Sequence, residues 1–257
     1  MTVLRSTCPL FVALASLSAC ATAIDTEIDP FIDNSKADGH HVRLHLVDHH
    51  KLDVDEPSDL AIYDGRLFTV SDQHSNVYEI DRDGDTLAKI DIKGKDVEAV
   101  AFDSLGRMFI ADESTAKIWQ IDKDGKRMGD PIEMVDSDDG NDGLEGLAFD
   151  DRDHMFVAKE KNPARIYELD TDFGQLERKK VKFADDLSAL AFDPTDGHLY
   201  ALSDQDHALF RLEHDLDVDK AWKLPIQHPE GITFDGDTLY VVSDSEEKLY
   251  ELEIQRD

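Results

Sequence analysis

One seven-residue phrase recurs five times along the chain, and this repeat limits the possible folds more than any other feature. In each copy an acidic or hydroxyl residue leads into a short apolar run that ends in Asp. The copies begin at Ser58, Val97, Leu144, Leu187 and Pro229. A second run follows and closes at residues spaced 40, 47, 45 and 40 apart: Asp72, Asp112, Lys159, Asp204 and Asp244. A third run carries an aromatic residue at one place: Tyr78, Trp119, Tyr167, Phe210 and Tyr250.

A period near forty residues with several short strands per copy is typical of a β-propeller. The runs are rich in Val, Ile, Leu, Phe and Tyr and are bounded by Asp and Gly, which favours strands over helices. The sequence therefore predicts an all-β propeller of five four-stranded blades. We expect the recurring aromatic residues to fill the space between neighbouring blades.

The two ends of the repeat region complement each other. The fifth copy reaches residue 257 after three strands, whereas a strand-like segment, residues 42–48, precedes the first copy. Pairing this N-terminal strand with the last blade supplies its outer strand, closes the ring and covers an exposed edge. Six blades are the alternative if the amino-terminal stretch contributes more than one strand.

Residues 1–19 have the pattern of a lipoprotein signal peptide. Arg5 precedes an apolar run, residues 10–17, that is too short to span a bilayer, and residues 17–20 (LSAC) resemble a lipobox. Cys20 is then the lipid attachment site; cleavage near Ala21 or Ala23 as an ordinary secretory signal is the alternative. Residues 20–39 are predicted to be the anchored cysteine and a flexible tether, and residues 40–257 the propeller.

These assignments predict a lipid-anchored membrane protein of the cell envelope that faces the periplasm. Ala21, where an inner-membrane retention Asp would stand, favours the outer membrane. The chain carries 58 acidic and 27 basic residues, a formal net charge of −31, so nucleic acid is excluded as a partner. We expect a monomer.

Antiparallel strand order predicts that many acidic residues lie at one end of the ring, because each first strand opens on the face where the second strand closes. The opening residues are Asp59, Glu98, Glu145, Ser188 and Glu230, and the closing residues are Asp72, Asp112, Lys159, Asp204 and Asp244. Eight carboxylates so placed repel one another unless they protonate or share a cation, and calcium suits an oxygen-only ligand set. The alternative for the closing aspartates is that they bond turn amides.

Other segments are weaker candidates for this chemistry. The loop of residues 136–143 could add ligands on the same face, and Lys159 and Lys161 are candidates for contact with an anionic substrate. Residues 81–84 (DRDG) and 122–125 (DKDG) resemble the start of a calcium loop but are predicted to be hairpin turns at the opposite end.

Residues 141–150 (NDGLEGLAFD) and 159–168 (KEKNPARIYE) resemble the SdiA-regulated propellers of the bacterial envelope, over the chain from about residue 40 onward. That family is similar in turn to phytase-like and NHL propellers. The resemblance implies a periplasm-facing, membrane-associated domain connected with calcium and without an established reaction. An amino-terminal membrane helix is frequent in the family, and the lipobox departs from it.

Two functions of different class follow. The first is a non-enzymatic, calcium-binding propeller that acts as a sensor or scaffold, since the sequence holds no phosphate-binding glycine loop, nucleophile elbow or zinc-protease helix. The second is a metal-dependent hydrolase, a phytase-like phosphoesterase or a lactonase, that uses the acidic face. A platform for an envelope protein partner is a third reading.

Overall fold

The five sequence repeats form five antiparallel sheets whose first strands contact one another in a closed circle. A computed structural model describes residues 26–33, 42–93, 96–134 and 143–256. Each first strand contacts the first strands of the preceding and following sheets, and the fifth contacts the first. The predicted five-bladed β-propeller is thereby confirmed, and the six-bladed alternative is wrong.

The strands run in chain order from the axis outward within each blade. Blade I consists of β4 (Pro57–Tyr63), β5 (Arg66–Ser71), β6 (Asn76–Ile80) and β7 (Thr86–Asp91). Blade II consists of β8 (Val97–Phe102), β9 (Met108–Asp112), β10 (Lys117–Ile121) and β11 (Arg127–Glu133), and a one-turn 3-10 helix, Glu113–Thr115, follows β9. Blade III consists of β12 (Leu144–Phe149), β13 (Met155–Lys159), β14 (Arg165–Leu169) and β15 (Gln175–Lys180).

The last two blades carry additional amino-terminal strands. Blade IV consists of β16 (Ala189–Asp193), β17 (His198–Ser203), β18 (Ala208–Leu212) and β19 (Val218–Lys223), with β2 (Pro30–Asp33) at its outer edge. Blade V consists of β20 (Pro229–Asp235), β21 (Thr238–Ser243), β22 (Lys248–Arg256) and β3 (Val42–Lys51), with β1 (Thr26–Ile28) outside β3.

The amino-terminal strand closes the ring as predicted. Strand β3 pairs antiparallel with β22 along its whole length, from Val42 opposite Arg256 to Lys51 opposite Lys248. Its apolar residues Leu44 and Leu46 are buried in the core between blades IV and V. The last blade therefore contains both ends of the propeller.

Part of the predicted flexible tether is ordered strand instead. Strand β1 pairs with β3, and β2 pairs with β19. These strands were not predicted because residues 20–39 are largely acidic and polar. Each strand nevertheless packs one apolar residue against a core, Ile28 in blade V and Ile32 in blade IV. Cys20, the signal segment and the rest of the tether lie outside the described residues, except for Asp29.

Apolar packing lies between blades, with one core at each of the five junctions. The recurring aromatic residues contribute to these cores as predicted: Tyr78, Tyr167, Phe210 and Tyr250 are members of four, and Trp119 packs against the fifth. Close approach of neighbouring first strands demands small residues. A Cβ atom on Gly146 would lie 2.7 Å from the backbone nitrogen of Leu190 in the next blade.

The aspartates of the two DxDG segments cap hairpin turns. Asp81 Oδ1 accepts the amides of Asp83 and Asp85 at 3.0 and 2.9 Å, and Asp122 does the same for Asp124 and Lys126. These segments therefore match the predicted turns. In the part of the chain that the structure describes, no helix has the length and apolarity needed to cross a membrane.

Ring closure by β3 makes a testable prediction. Leu44 is 1% exposed, so Leu44→Ala should lower the free energy of unfolding by about 2–4 kcal/mol through lost burial and a residual cavity. Arg43→Ala is the matched control on the opposite face of the same strand. It removes the 3.0 Å exposed pair with Glu27 and should cost less than about 1 kcal/mol. Equal losses in urea unfolding would contradict closure by this strand.

Candidate functional site

A one-residue bulge positions the acids at one end of the axis. In four blades the register of the first strand shifts at Ser58, Glu98, Glu145 and Glu230. A bulged residue is left out of the ladder and its side chain is re-aimed. Ser188 precedes the first paired residue of blade IV, and its amide donates to the carbonyl of Leu202 at 2.9 Å. We call these five residues the inner ring.

A second set of residues follows directly after the second strand of each blade. These five residues, the outer ring, are all acidic: Asp72, Glu113, Glu160, Asp204 and Asp244. In four blades the outer-ring amide donates to the carbonyl of the residue two before the inner-ring residue: Asp72 to Glu56, Glu113 to Asp96, Glu160 to Gly143 and Asp244 to His228, at 2.9–3.3 Å. The backbone therefore fixes the two rings relative to each other.

All ten ring residues line one cavity of about 400 Å³, which we call the acidic mouth. Glu56, Lys161, Asp186 and Gln205 complete its lining. Ten of these fourteen residues carry carboxylates. The opposite end of the axis differs in character, because its cavity is lined mainly by apolar residues such as Phe102, Phe149 and Phe192.

Most of the residues predicted for this site meet at the acidic mouth. Its lining includes Glu98, Glu145, Glu230, Asp72, Asp204, Asp244 and Lys161. Of the loop of residues 136–143, only Gly143 lies within the described residues. Its amide donates to Glu113 Oε1 at 3.1 Å.

Three predicted site residues, Asp59, Asp112 and Lys159, do not line the mouth. Asp59 is fully buried between blades I and II, where it accepts the amides of Leu60 and Val100 at 2.8 and 3.0 Å. Asp112 pairs with Arg127 at 2.8 Å. The Lys159 ammonium donates to the carbonyl of Lys161 at 2.5 Å.

The repeat alignment was one residue out of register at each of these positions. A one-residue slip moves a side chain to the other face of a strand. The residues that occupy the mouth instead are Ser58, Glu113 and Glu160. A sequence signal for the last two existed, because the second residue of each closing pair, from Ser71-Asp72 to Ser243-Asp244, is acidic in all five copies.

Burial and mutual repulsion raise the pKa values of the three inner-ring glutamates. Glu98 is 7% exposed, and burial, the charge of Glu145 and a hydrogen bond with Asp72 raise its pKa to about 10. Burial, followed by the charges of Asp204 and Asp244, raises the pKa of Glu230 to about 9. Burial and the charges of Glu113 and Glu160 raise the pKa of Glu145 well above its usual value.

The carboxylates form two tight clusters, each at a junction between blades. The I/II cluster consists of Asp72 from blade I with Asp96 and Glu98 from blade II, and the II/III cluster consists of Glu113 from blade II with Glu145 and Glu160 from blade III. In each cluster one oxygen of every carboxylate lies within 4.8 Å of the others. Three converging carboxylates are a ligand set that calcium accepts, since it takes six to eight oxygens in flexible geometry.

Polar atoms that lack a well-formed hydrogen bond also belong to residues that line this cavity. Ser58 Oγ, Asp204 Oδ1 and Asp244 Oδ1 are buried, and none has a hydrogen bond of normal geometry to the described residues. Asp204 Oδ1 has an ion-pair partner, His228 Nδ1, at 3.3 Å. Buried oxygens without donors are costly, and a bound cation would satisfy them. The residues present therefore fit a divalent cation.

Comparisons with known proteins agree on family and fold. A family model described as SdiA-regulated matches residues 37–252. A glutaminyl cyclase from Myxococcus xanthus superposes with a TM-score of 0.68 at 9% identity, covering 83% of this chain and 97% of the cyclase. A gluconolactonase from Xanthomonas campestris gives 0.58 at 14% identity, covering 91% and 96%.

A third solved structure is a virginiamycin B lyase from Staphylococcus aureus. It superposes with a TM-score of 0.52 at 15% identity, covering 77% of this chain, and the chain spans 66% of the lyase. At these identities the likeness extends to the propeller fold.

The raised pKa values predict how stability depends on pH in a chelator. Unfolded, these glutamates release protons above about pH 4.5, whereas folded Glu98 and Glu230 keep them until pH values near 10 and 9. The contribution of these two glutamates to the free energy of unfolding is therefore fully present below pH 4.5. It is lost as the pH rises, by at most about 1.4 kcal/mol per pH unit for each group. The melting temperature of the metal-free protein should fall between pH 5 and 9.

A paired substitution isolates this effect from the general repulsion of an acidic chain. The double variant Glu98→Gln, Glu230→Gln should show a smaller decrease of melting temperature with pH, because glutamine resembles the protonated acid. Glu177→Gln with Glu253→Gln changes two exposed glutamates away from the mouth and should keep the wild-type slope. Identical slopes in all three proteins would show that the inner ring ionises normally.

Proposed function

The chain belongs to the SdiA-regulated family, and from this premise we propose that it is a calcium-binding propeller of the cell envelope that acts as a sensor or scaffold. The observation that carries the proposal is the pair of three-carboxylate clusters, whose members line one cavity except for Asp96. Buried glutamates that repel one another are costly without a cation, and a divalent ion at each cluster would remove that cost.

The position of the clusters supports sensing more than catalysis. Each takes its ligands from two neighbouring blades, so a bound ion joins the blades that supply them. Binding to the folded state alone raises its stability by mass action. Calcium would therefore stiffen the ring at its acidic end, which is a change that an envelope protein partner could recognise.

The first test is the response of stability to calcium. We expect calcium chloride to raise the melting temperature of the chelator-treated protein by several degrees at pH 7.5, because the ion binds only the folded state. The triple variant Glu98→Gln, Glu145→Gln, Glu230→Gln should lose this rise. Without calcium it should melt at or above the wild-type temperature, because its glutamines, unlike the glutamates, do not have to take up protons on folding.

A second triple variant controls for the change in net charge. Glu133→Gln, Glu177→Gln and Glu253→Gln remove three charges from exposed positions away from the mouth and should leave the calcium response intact. A wild-type protein whose melting temperature does not change with calcium would rule out the proposal. An equal response in the inner-ring variant would place the ion elsewhere.

A metal-dependent hydrolase is the second candidate, and one observation favours it. Lys161 lines the same cavity as the two clusters, so a bound metal and an ammonium group could together receive an anionic substrate. The neighbour from Xanthomonas campestris is described as a gluconolactonase. Calcium-dependent hydrolysis of lactones or phosphomonoesters that disappears in Glu145→Gln would replace the sensor proposal with this one.

Envelope attachment is proposed to depend on Cys20, which lies outside the described residues. Cys20→Ser should abolish metabolic labelling with a fatty-acid analogue and move the protein from the membrane fraction to the soluble periplasmic fraction. Cys8→Ser is the matched control, since Cys8 falls within the predicted signal peptide and should leave with it. Labelling that persists in Cys20→Ser would contradict lipid attachment at this residue.

A further inference from the structure

Among the described residues that line the acidic mouth, Lys161 is the one basic side chain. It contacts the II/III cluster and not the I/II cluster. Its Nζ atom forms an ion pair with Glu160 Oε1, and Glu160 belongs to the II/III cluster. Its charge also acts on Glu145 of the same cluster. Within the described ranges, the members of the I/II cluster form no ion pair with a lysine or arginine.

The backbone around Lys161 holds the ammonium group near this cluster. The Lys159 ammonium donates to the carbonyl of Lys161 at 2.5 Å. The amide of Glu160 donates to Gly143 at 3.0 Å, and its carbonyl accepts the amide of Leu187 from the start of blade IV at 3.0 Å. Lys161 therefore follows a residue that is tied to blades III and IV.

A divalent ion and this ammonium group cannot share Glu160 without repulsion. A calcium ion lies about 2.4 Å from its ligand oxygen, so an ion on Glu160 would stand within about 5–6 Å of a lysine nitrogen bonded to the same carboxylate. Like charges at that distance repel strongly in a partly buried site. The lysine and the ion therefore compete for this carboxylate.

The Ser58 hydroxyl is independent evidence for a ligand at the neighbouring junction, between blades I and II. Ser58 is 8% exposed and lines the cavity, and its Oγ atom has no hydrogen bond of normal geometry to the described residues. The hydroxyl lies close enough to Glu98 of the I/II cluster to lower the pKa of that carboxyl, and its oxygen is a suitable neutral ligand for calcium. The two clusters therefore differ in the ligand atoms that they offer to a cation. They also differ in whether a lysine competes with the cation for them.

We propose that Lys161 is a built-in counterion that competes with the cation for the II/III cluster, so that the mouth binds two calcium ions with unequal affinity. The I/II cluster is filled first and the II/III cluster second. This inference rests on the proposed cation-binding function and adds its regulation: the second ion binds only where calcium is concentrated enough to displace the lysine.

The test is calorimetric titration of calcium chloride into the chelator-treated full chain and its variants. Wild-type protein should bind in two steps. Lys161→Met should tighten the weaker step by about tenfold or more, because it removes a positive charge close to the site, and should change the stronger step less than twofold. Lys161→Arg keeps the charge and should behave as wild type.

Three further variants locate the steps. Lys123→Met removes the same charge from a hairpin turn away from the mouth and should change neither step more than twofold. Glu145→Gln should remove the weaker step, and Glu98→Gln should remove the stronger. Circular dichroism of each variant establishes that it is folded.

The outcomes separate this inference from the function on which it rests. A weaker step that Lys161→Met leaves unchanged, or that Lys123→Met tightens equally, overturns the role of Lys161 while calcium binding stands. Loss of the weaker step in Glu98→Gln overturns the assignment of the clusters. A wild-type protein that binds no calcium overturns the proposed function and this inference together.

Discussion

Packing between blades holds carboxylates closer together than their mutual repulsion would allow. Each junction has its own apolar core, and the aromatic residues of the third strands fill it. Because the chain has no helix beyond a single turn in its described part, these cores and the strand ladders carry its stability. The acidic mouth, with inner-ring pKa values near 9 and 10, is an arrangement that such packing must sustain.

The polar and apolar ends of the axis show how position along a strand separates the acidic mouth from the apolar cavity at the other end. Along β8, Glu98 faces the acidic mouth, whereas Phe102, four residues later, lines the apolar cavity at the other end. Between them, Ala99 and Ala101 allow the neighbouring first strands to approach. The same seven-residue phrase therefore encodes the mouth, the close packing at the axis and the opposite end.

The repeat was sufficient to predict the blades, the closing strand and the aromatic positions, because these depend on spacing and on the alternation of apolar residues. It was insufficient for the register of single positions. The alignment matched the Asp that ends each phrase, whereas the strand pairing makes Ser58 the counterpart of Glu98, so Asp59 was assigned to the mouth where Ser58 lies. It also ended the second run of blade II at Asp112, although Glu113 is the residue that follows β9 and lines the mouth. The two strands in the tether were missed because each forms only three ladder pairs, and so short a strand needs few apolar residues.

The position of the carboxylates across blade junctions determines what the mouth can report. Within one blade, an ion would bind groups that the sheet already holds together, and little else would change. Asp72 and Glu98, however, belong to different blades, as do Glu113 and Glu160. If the clusters bind a cation as proposed, the strength of binding would depend on the distance between two blades, and by linkage the bound ion would resist changes in that distance. Ligands so divided would convert the local concentration of a cation into the rigidity of one end of the ring.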